Sequence, residues 1–181
     1  LPNIYLMHGD FMDEEINELY NHPKVKAHVS LTHGEGFGRP LLEATLSEKP
    51  VMAPNWSGHV DFLKKPNAVL LGGALADVPK GSFPDNFHVD GMKWFTVNYQ
   101  EASATMKDIY KNYRKYTLPA KKLAMYNKSK FSLDEMTRQF GKILDKYVPE
   151  FAEEVKLELP KLNKVSETKA PEIKLPKLKK V

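Results

Sequence analysis

Two carboxylates flank a glycine-rich turn in the segment Thr32-His-Gly-Glu-Gly-Phe-Gly-Arg-Pro-Leu-Leu-Glu-Ala-Thr45. Gly34, Gly36 and Gly38 let the backbone bend sharply and come close to a ligand, and Pro40 suits the first position of a helix. The start of that helix presents free N–H groups and a partial positive charge, which favours a diphosphate. Glu35 lies in the loop and Glu43 about one turn into the helix, so both are placed to accept hydrogen bonds from vicinal hydroxyls of a ribose or a hexose. Each piece also has a plainer reading: a first-turn Glu complements the helix dipole, and glycines before a helix serve the turn.

These residues need a scaffold, and the sequence reads as an α/β domain with a parallel sheet flanked by helices. Apolar runs at Ile4–Met7, Val25–Leu31, Val51–Ala53 and Val69–Leu71 are expected strands. Amphipathic stretches at 13–20, 40–47 and 59–64 are expected helices, long enough for parallel crossovers. Residues 72–90 turn to Gly, Pro, Asp and Asn, with Pro79 and Pro84 excluding a continuous helix, and are expected to form a long loop followed by a short strand at 92–97. From Gln100 to Tyr147 the apolar spacing is helical through Ile109, Tyr113 and Tyr116, then Leu123 and Tyr126, then Met136, Phe140, Ile143, Leu144 and Tyr147. Two or three closing helices follow from that spacing. Trp56 and Trp94 are expected in the core or at a pocket rim, with the core favoured.

The combination of Glu35, seven intervening residues and Glu43 in Glu-Gly-Phe-Gly-Arg-Pro-Leu-Leu-Glu-Ala resembles the donor-site signature of the large retaining GT-B glycosyltransferase family that includes sucrose and glycogen synthases. Lys49-Pro-Val-Met-Ala-Pro54 looks like the strand after that signature, and Ser57-Gly-His-Val-Asp61 like the turn that follows it, with Asp61 as its acid. The resemblance spans residues 3–71 well and the closing helices loosely. It implies the Rossmann-like carboxyl-terminal half of a GT-B fold over residues 1–149, binding a nucleotide-diphosphate sugar for retaining transfer. Glu35 would contact the donor sugar near the reacting carbon and Glu43 the ribose. Amides around Gly36, Phe37 and Gly38 would hold the diphosphate or sugar, with Arg39 supplementing them, and His33, Ser57, Gly58, His59 and Asp61 would form the rim. Neither a cofactor nor a metal is expected on this reading.

The family carries an Arg and a Lys that clamp the diphosphate well upstream, and an acceptor domain before them; only 34 residues precede Glu35 here. The expectation is therefore a donor-binding part that transfers no sugar alone. In the strand order of such a domain, the missing strands lie beside Val25–Leu31, which predicts an open sheet edge. That edge is to be filled by the Ile4 strand moving inward, by a second copy across a two-fold axis, or by tail arms around Leu157 and Leu175. Self-association with a contribution from the tail is the favoured expectation.

Other chemistry is open on the residues alone. His33 with Glu35, and His59 with Asp61, form a conceivable set of nitrogen and oxygen ligands, but two-apart pairs in loops lack a third spacing cue. His8, His22, His28 and His88 follow no pattern. Cysteine is absent, which excludes disulfides, thiolate metal sites and cysteine nucleophiles and fits a reducing, cytoplasmic setting. There is no apolar run of eighteen residues to span a membrane. The net charge of +4 belongs to the end of the chain: residues 160–181 hold seven Lys and two Glu, and the remainder has 20 basic and 21 acidic residues. Residues 150–181 read as a Lys/Pro-rich tail, extended or disordered, with an echo between 156–162 and 172–178. The alternative function is an interaction module whose tail binds polyanions or partner proteins. Nucleic acid is not expected, since no aromatics interleave with the tail lysines.

Overall fold

The computed structural model describes residues 2–64, 66–87 and 89–149. The tail and its repeated segment lie outside the described residues. The described residues form a mixed α/β structure with a small parallel three-stranded sheet, a separate two-stranded antiparallel sheet and five helices.

The first helix, α1 (Asp13–Asn21), begins with three acids, and the Glu15 carboxylate accepts from the Met12 N–H at 2.9 Å. After it come β1 (His28–Val29), α2 (Arg39–Thr45), β2 (Val51–Pro54) and β3 (Val69–Leu71). The strands pair in parallel in the order β1-β2-β3, with His28 opposite Val51 and Met52 opposite Val69. All four residues of β2 are buried, the pattern of a central parallel strand covered on both faces.

Alternation along β2 feeds two cores. On one face Val51 and Ala53 pack with Leu41 and Ala44 of α2, with Phe62 and Leu63, and with Leu123. On the other, Met52 packs with Leu71, Phe95, Val97, Ala102 and Ile109. Leu123 belongs to α4 (Tyr113–Lys130), while Ala102 and Ile109 belong to α3 (Tyr99–Lys111). A buried polar link joins α2 to α4: the Asn127 amide donates to the Thr45 hydroxyl at 3.0 Å, and that hydroxyl donates to the Leu42 carbonyl. Asn98 caps α3 by accepting from the Gln100 and Glu101 N–H groups. Ser132 does the same for the Glu135 N–H at the start of α5 (Leu133–Tyr147).

Several expectations are corrected here. Ile4–Met7 forms no strand. Its backbone finds no partner among the described residues, and Ile4 and Leu6 are each 91% exposed. Val25–Leu31 contributes only two ladder residues, because pairing exists on one side alone and extends only to Val51 and Met52. The helix expected at 59–64 is a single 3₁₀ turn, Gly58–Asp61. The loop expected across 72–90 contains a strand, β4 (Gly73–Asp77), paired antiparallel with β5 (Lys93–Val97) from Gly73 opposite Val97 to Asp77 opposite Lys93. Weak local β-preference hid that strand. At Gly73 a Cβ would lie 2.3 Å from the Thr96 carbonyl oxygen, so the glycine admits the partner strand. Trp56, for which the core is favoured over a pocket rim, is 42% exposed, which leaves the rim position.

Candidate functional site

The glycine loop follows β1 and the segment Asn55–Asp61 follows β2, so both stand at the carboxyl ends of adjacent parallel strands. That is where open α/β sheets hold their ligands. The two loops are fastened together. The Ser57 hydroxyl donates to the Glu35 carbonyl at 2.6 Å and accepts from the Glu35 N–H at 3.1 Å, and the Gly58 N–H donates to the same carbonyl at 3.0 Å. A Cβ on Gly58 would lie 1.9 Å from the Gly36 carbonyl oxygen, so only glycine permits this approach. Ser57 itself has φ +77°, a left-handed conformation that a non-glycine residue adopts at a cost of order 1–3 kcal/mol. The three hydrogen bonds around Glu35 offset that strain.

Gly38 starts α2 with φ +84° and is buried, and its carbonyl accepts from the Leu41 and Leu42 N–H groups. Gly36 is exposed. Phe37 turns its ring onto Phe62 and Phe131, at centroid distances of 5.2 and 6.1 Å, yet stays 44% exposed. The backbone around Phe37 is thereby anchored by an aromatic cluster at the end of α4.

The two acids face different spaces. Glu35 lines a cleft of about 340 Å³ together with Tyr20, His28, Val29, Pro40 and Ala44. Glu43 lines a neighbouring cleft of about 280 Å³ between α1 and α2, with Asp13, Asn17 and Arg39. Tyr20 belongs to both walls. The Arg39 Nε donates to a Glu43 carboxylate oxygen at 2.6 Å, an ion pair one helical turn apart and largely exposed. That bond, followed by the charge of Glu43, raises the Arg39 pKa. Burial, then the Glu43 charge, raises that of the Tyr20 phenol.

Around the first cleft the groups are held in place. His28 Nε2 lies 3.2 Å from the Ser47 hydroxyl, and its ring meets Tyr20 edge-on at 4.9 Å. Burial first, and the Lys49 charge second, lower its pKa. Lys49 donates to the Tyr20 and His22 carbonyls at 2.5 and 2.8 Å, which ties the end of α1 to the turn before β2.

The rim residues separate into different roles. His33 stacks on Trp94 at 3.9 Å with the ring planes nearly parallel, and its Nδ1 lies 2.7 Å from the Phe95 carbonyl. His59 is fully buried, with Nε2 2.7 Å from the Pro54 carbonyl and Nδ1 without a partner among the described residues. Asp61 is exposed. His33, Glu35, His59 and Asp61 do not converge: among the described residues no group of three or more such side chains is arranged to hold a metal ion.

The chain matches no family model and no curated protein. No helix among the described residues is long and apolar enough to cross a membrane.

Residue-level reasoning missed Tyr20 as a shared wall and Ser57 as the clamp. The first emerges only when α1 packs beside α2. The second depends on a backbone conformation that a serine does not announce. Trp56, beside Gly34 and stacked at 5.5 Å on Phe95, stands at the mouth of the same loop.

Proposed function

We propose that this chain is the donor-binding part of a retaining glycosyltransferase, a Rossmann-like carboxyl-terminal half of a GT-B enzyme that holds a nucleotide-diphosphate sugar. The observation that carries this reading is the Ser57–Gly58 clamp on the backbone of Glu35, at the carboxyl ends of β1 and β2. A loop held in a strained state by three hydrogen bonds is preorganised, and preorganised donors stabilise developing charge without reorganising during reaction.

In this reading Glu35 accepts from hydroxyls of the donor sugar and Glu43 from the ribose. Amides from Gly36 to Gly38 meet the diphosphate. Arg39, one turn from Glu43, is close enough to exchange its carboxylate partner for a phosphate oxygen, since Arg binds both in the same forked geometry. The acceptor site and the remaining basic clamp on the diphosphate are assigned to residues outside this chain, so the chain binds donor and transfers no sugar. The absence of cysteine supports a reducing, cytoplasmic location.

Saturation-transfer NMR with a panel of nucleotide sugars tests the proposal. The expected result is transfer to ribose and sugar protons of at least one donor. Glu43→Ala should weaken nucleotide binding by about 1–3 kcal/mol, the range for a charged hydrogen bond. Glu35→Ala should affect the sugar moiety more than the nucleotide. No transfer to any member of the panel by the folded chain refutes the assignment.

A further inference from the structure

Among the described residues the same chain carries an unpaired strand sequence and an unpaired sheet edge. Ile4, Tyr5, Leu6 and Met7 are four consecutive large apolar residues, between 58% and 91% exposed. The whole arm from residue 2 to residue 10 is exposed, and the first backbone hydrogen bond among the described residues runs from the Ile16 N–H to the Met12 carbonyl. At the other end of the match, β1 pairs with β2 on one side, and among the described residues its other side is bare.

The surroundings of that bare edge fit a strand in particular. A strand sends alternate side chains to opposite faces, here Ile4 and Leu6 to one and Tyr5 and Met7 to the other. The β1 edge opens onto a groove on each face. One is the cleft of about 340 Å³ walled by Tyr20, Val29, Leu41 and Ala44 together with the polar His28, Ser30 and Glu35, so a strand added there also borders the Glu35 side of the proposed donor site. The other, about 410 Å³, is walled by Ala27, Met106, Ile109, Tyr110 and Tyr113. The second groove is mainly apolar and suits two of the arm's side chains, while the first offers apolar contact along Tyr20, Val29, Leu41 and Ala44.

We infer that the arm of one copy adds as a strand to the β1 edge of a second copy, and that the exchange is mutual. Among the described residues the arm is exposed and makes no backbone hydrogen bond to its own domain, and the outer edge of β1 has no strand beside it, so the arm is presented to a neighbour. Exchange across a two-fold axis pairs both arms and both edges and closes the assembly. Four large side chains offer on the order of 500 Å² per arm. Two arms and the grooves they cover clear the roughly 1,000 Å² that a specific interface requires.

The experiment uses the full chain, which lacks cysteine. Sedimentation velocity should give a dimer, and Ile4→Asp with Leu6→Asp should give a monomer with an unchanged circular dichroism spectrum, since both positions are exposed. An equal mixture of Leu6→Cys and Val29→Cys chains, oxidised, should yield a covalent dimer whose bridge joins position 6 of one chain to position 29 of the other. A monomeric parent chain overturns the inference. So does a doubly substituted Leu6→Cys, Val29→Cys chain that closes its bridge within one molecule, which would place the arm on its own edge. A dimer that survives the two Asp substitutions also overturns it and assigns the contact to another surface, such as α5 or residues 150–181.

Discussion

Helices α4 and α5 follow one another with only Phe131 and Ser132 between them, and they are opposites. The spacing of Met136, Phe140, Ile143, Leu144 and Tyr147 makes α5 the more sharply two-faced of the pair, yet it buries none of its residues. In α4 the apolar pattern is diluted by lysines and tyrosines, but Ala120, Leu123, Ala124 and Asn127 are all buried. Amphipathic spacing describes what one side of a helix offers. Whether that side is covered depends on what the rest of the chain brings to it. For α4 the partners are α2, α3 and the first face of β2; for α5 the contacts among the described residues are few, and its stripe stays open there.

The sharpest way to break the comparison is to empty the covered face. Leu123→Ala removes a fully buried side chain from the cluster around Phe62 and Val51 and should destabilise the fold by about 2–5 kcal/mol in urea unfolding. A loss below about 1 kcal/mol would mean that this face is as loosely covered as α5.

Next in size is the clamp between the two loops. Gly58→Ala drives a Cβ into the Gly36 carbonyl and should cost about 1–3 kcal/mol as the loops separate. On the proposed function, the same variant should also lose donor binding. A fully stable variant that binds donor normally would show that the approach of the loops is dispensable.

A smaller effect is expected from His28, half-sheltered between α1 and the turn before β2. Burial and the neighbouring Lys49 depress its folded-state pKa below the usual 6.5, so the folded protein favours the neutral ring. The unfolded chain then takes up the proton first as pH falls. The stability tied to His28 is therefore fully present above pH 6.5 and is lost as pH drops through the folded-state value. Proton NMR of the ring should place its titration below 6.5, and melting temperature should fall across that window less in His28→Gln than in the parent. A ring titrating above 6.5 would reverse the sign.

The least effect belongs to the open stripe. Phe140→Ala, on a residue 61% exposed, should change stability by no more than about 0.5 kcal/mol. A loss comparable to that of Leu123→Ala would mean that α5 is covered in solution.

Much of the scaffold was legible along the chain. Val51–Ala53 and Val69–Leu71 read as strands because each is a short apolar run bounded by Pro, Asn or Gly, and both occur with at most one residue of difference. The span of α3 to α5 followed from the helical period of their apolar residues. Ile4–Met7 shows the opposite case: a strand sequence as good as either, without a strand. Gly73–Asp77 is its mirror, a poor strand sequence that pairs along five residues. Of the site, the glycine loop and the start of α2 were legible, as was the nearness of Ser57–Asp61. The separation of Glu35 and Glu43 into two clefts was not, because it depends on where α1 lies.

By itself, then, the sequence determined the local conformations: the Gly38 turn into α2 at Arg39 and Pro40, the Asn98 and Ser132 caps, and the alternation that sends Met52 to one core and Val51 and Ala53 to the other. These rest on forces acting within a few residues, namely φ preference, capping geometry and side-chain period. Tertiary structure alone decided which strands found partners, which helix face was covered, that Trp56 stands at a rim, and that Ser57 takes a strained backbone to hold Glu35. Each of those is settled by a group brought from a distance along the chain. A hydrogen bond or a buried surface needs two sides, and a local pattern supplies only one.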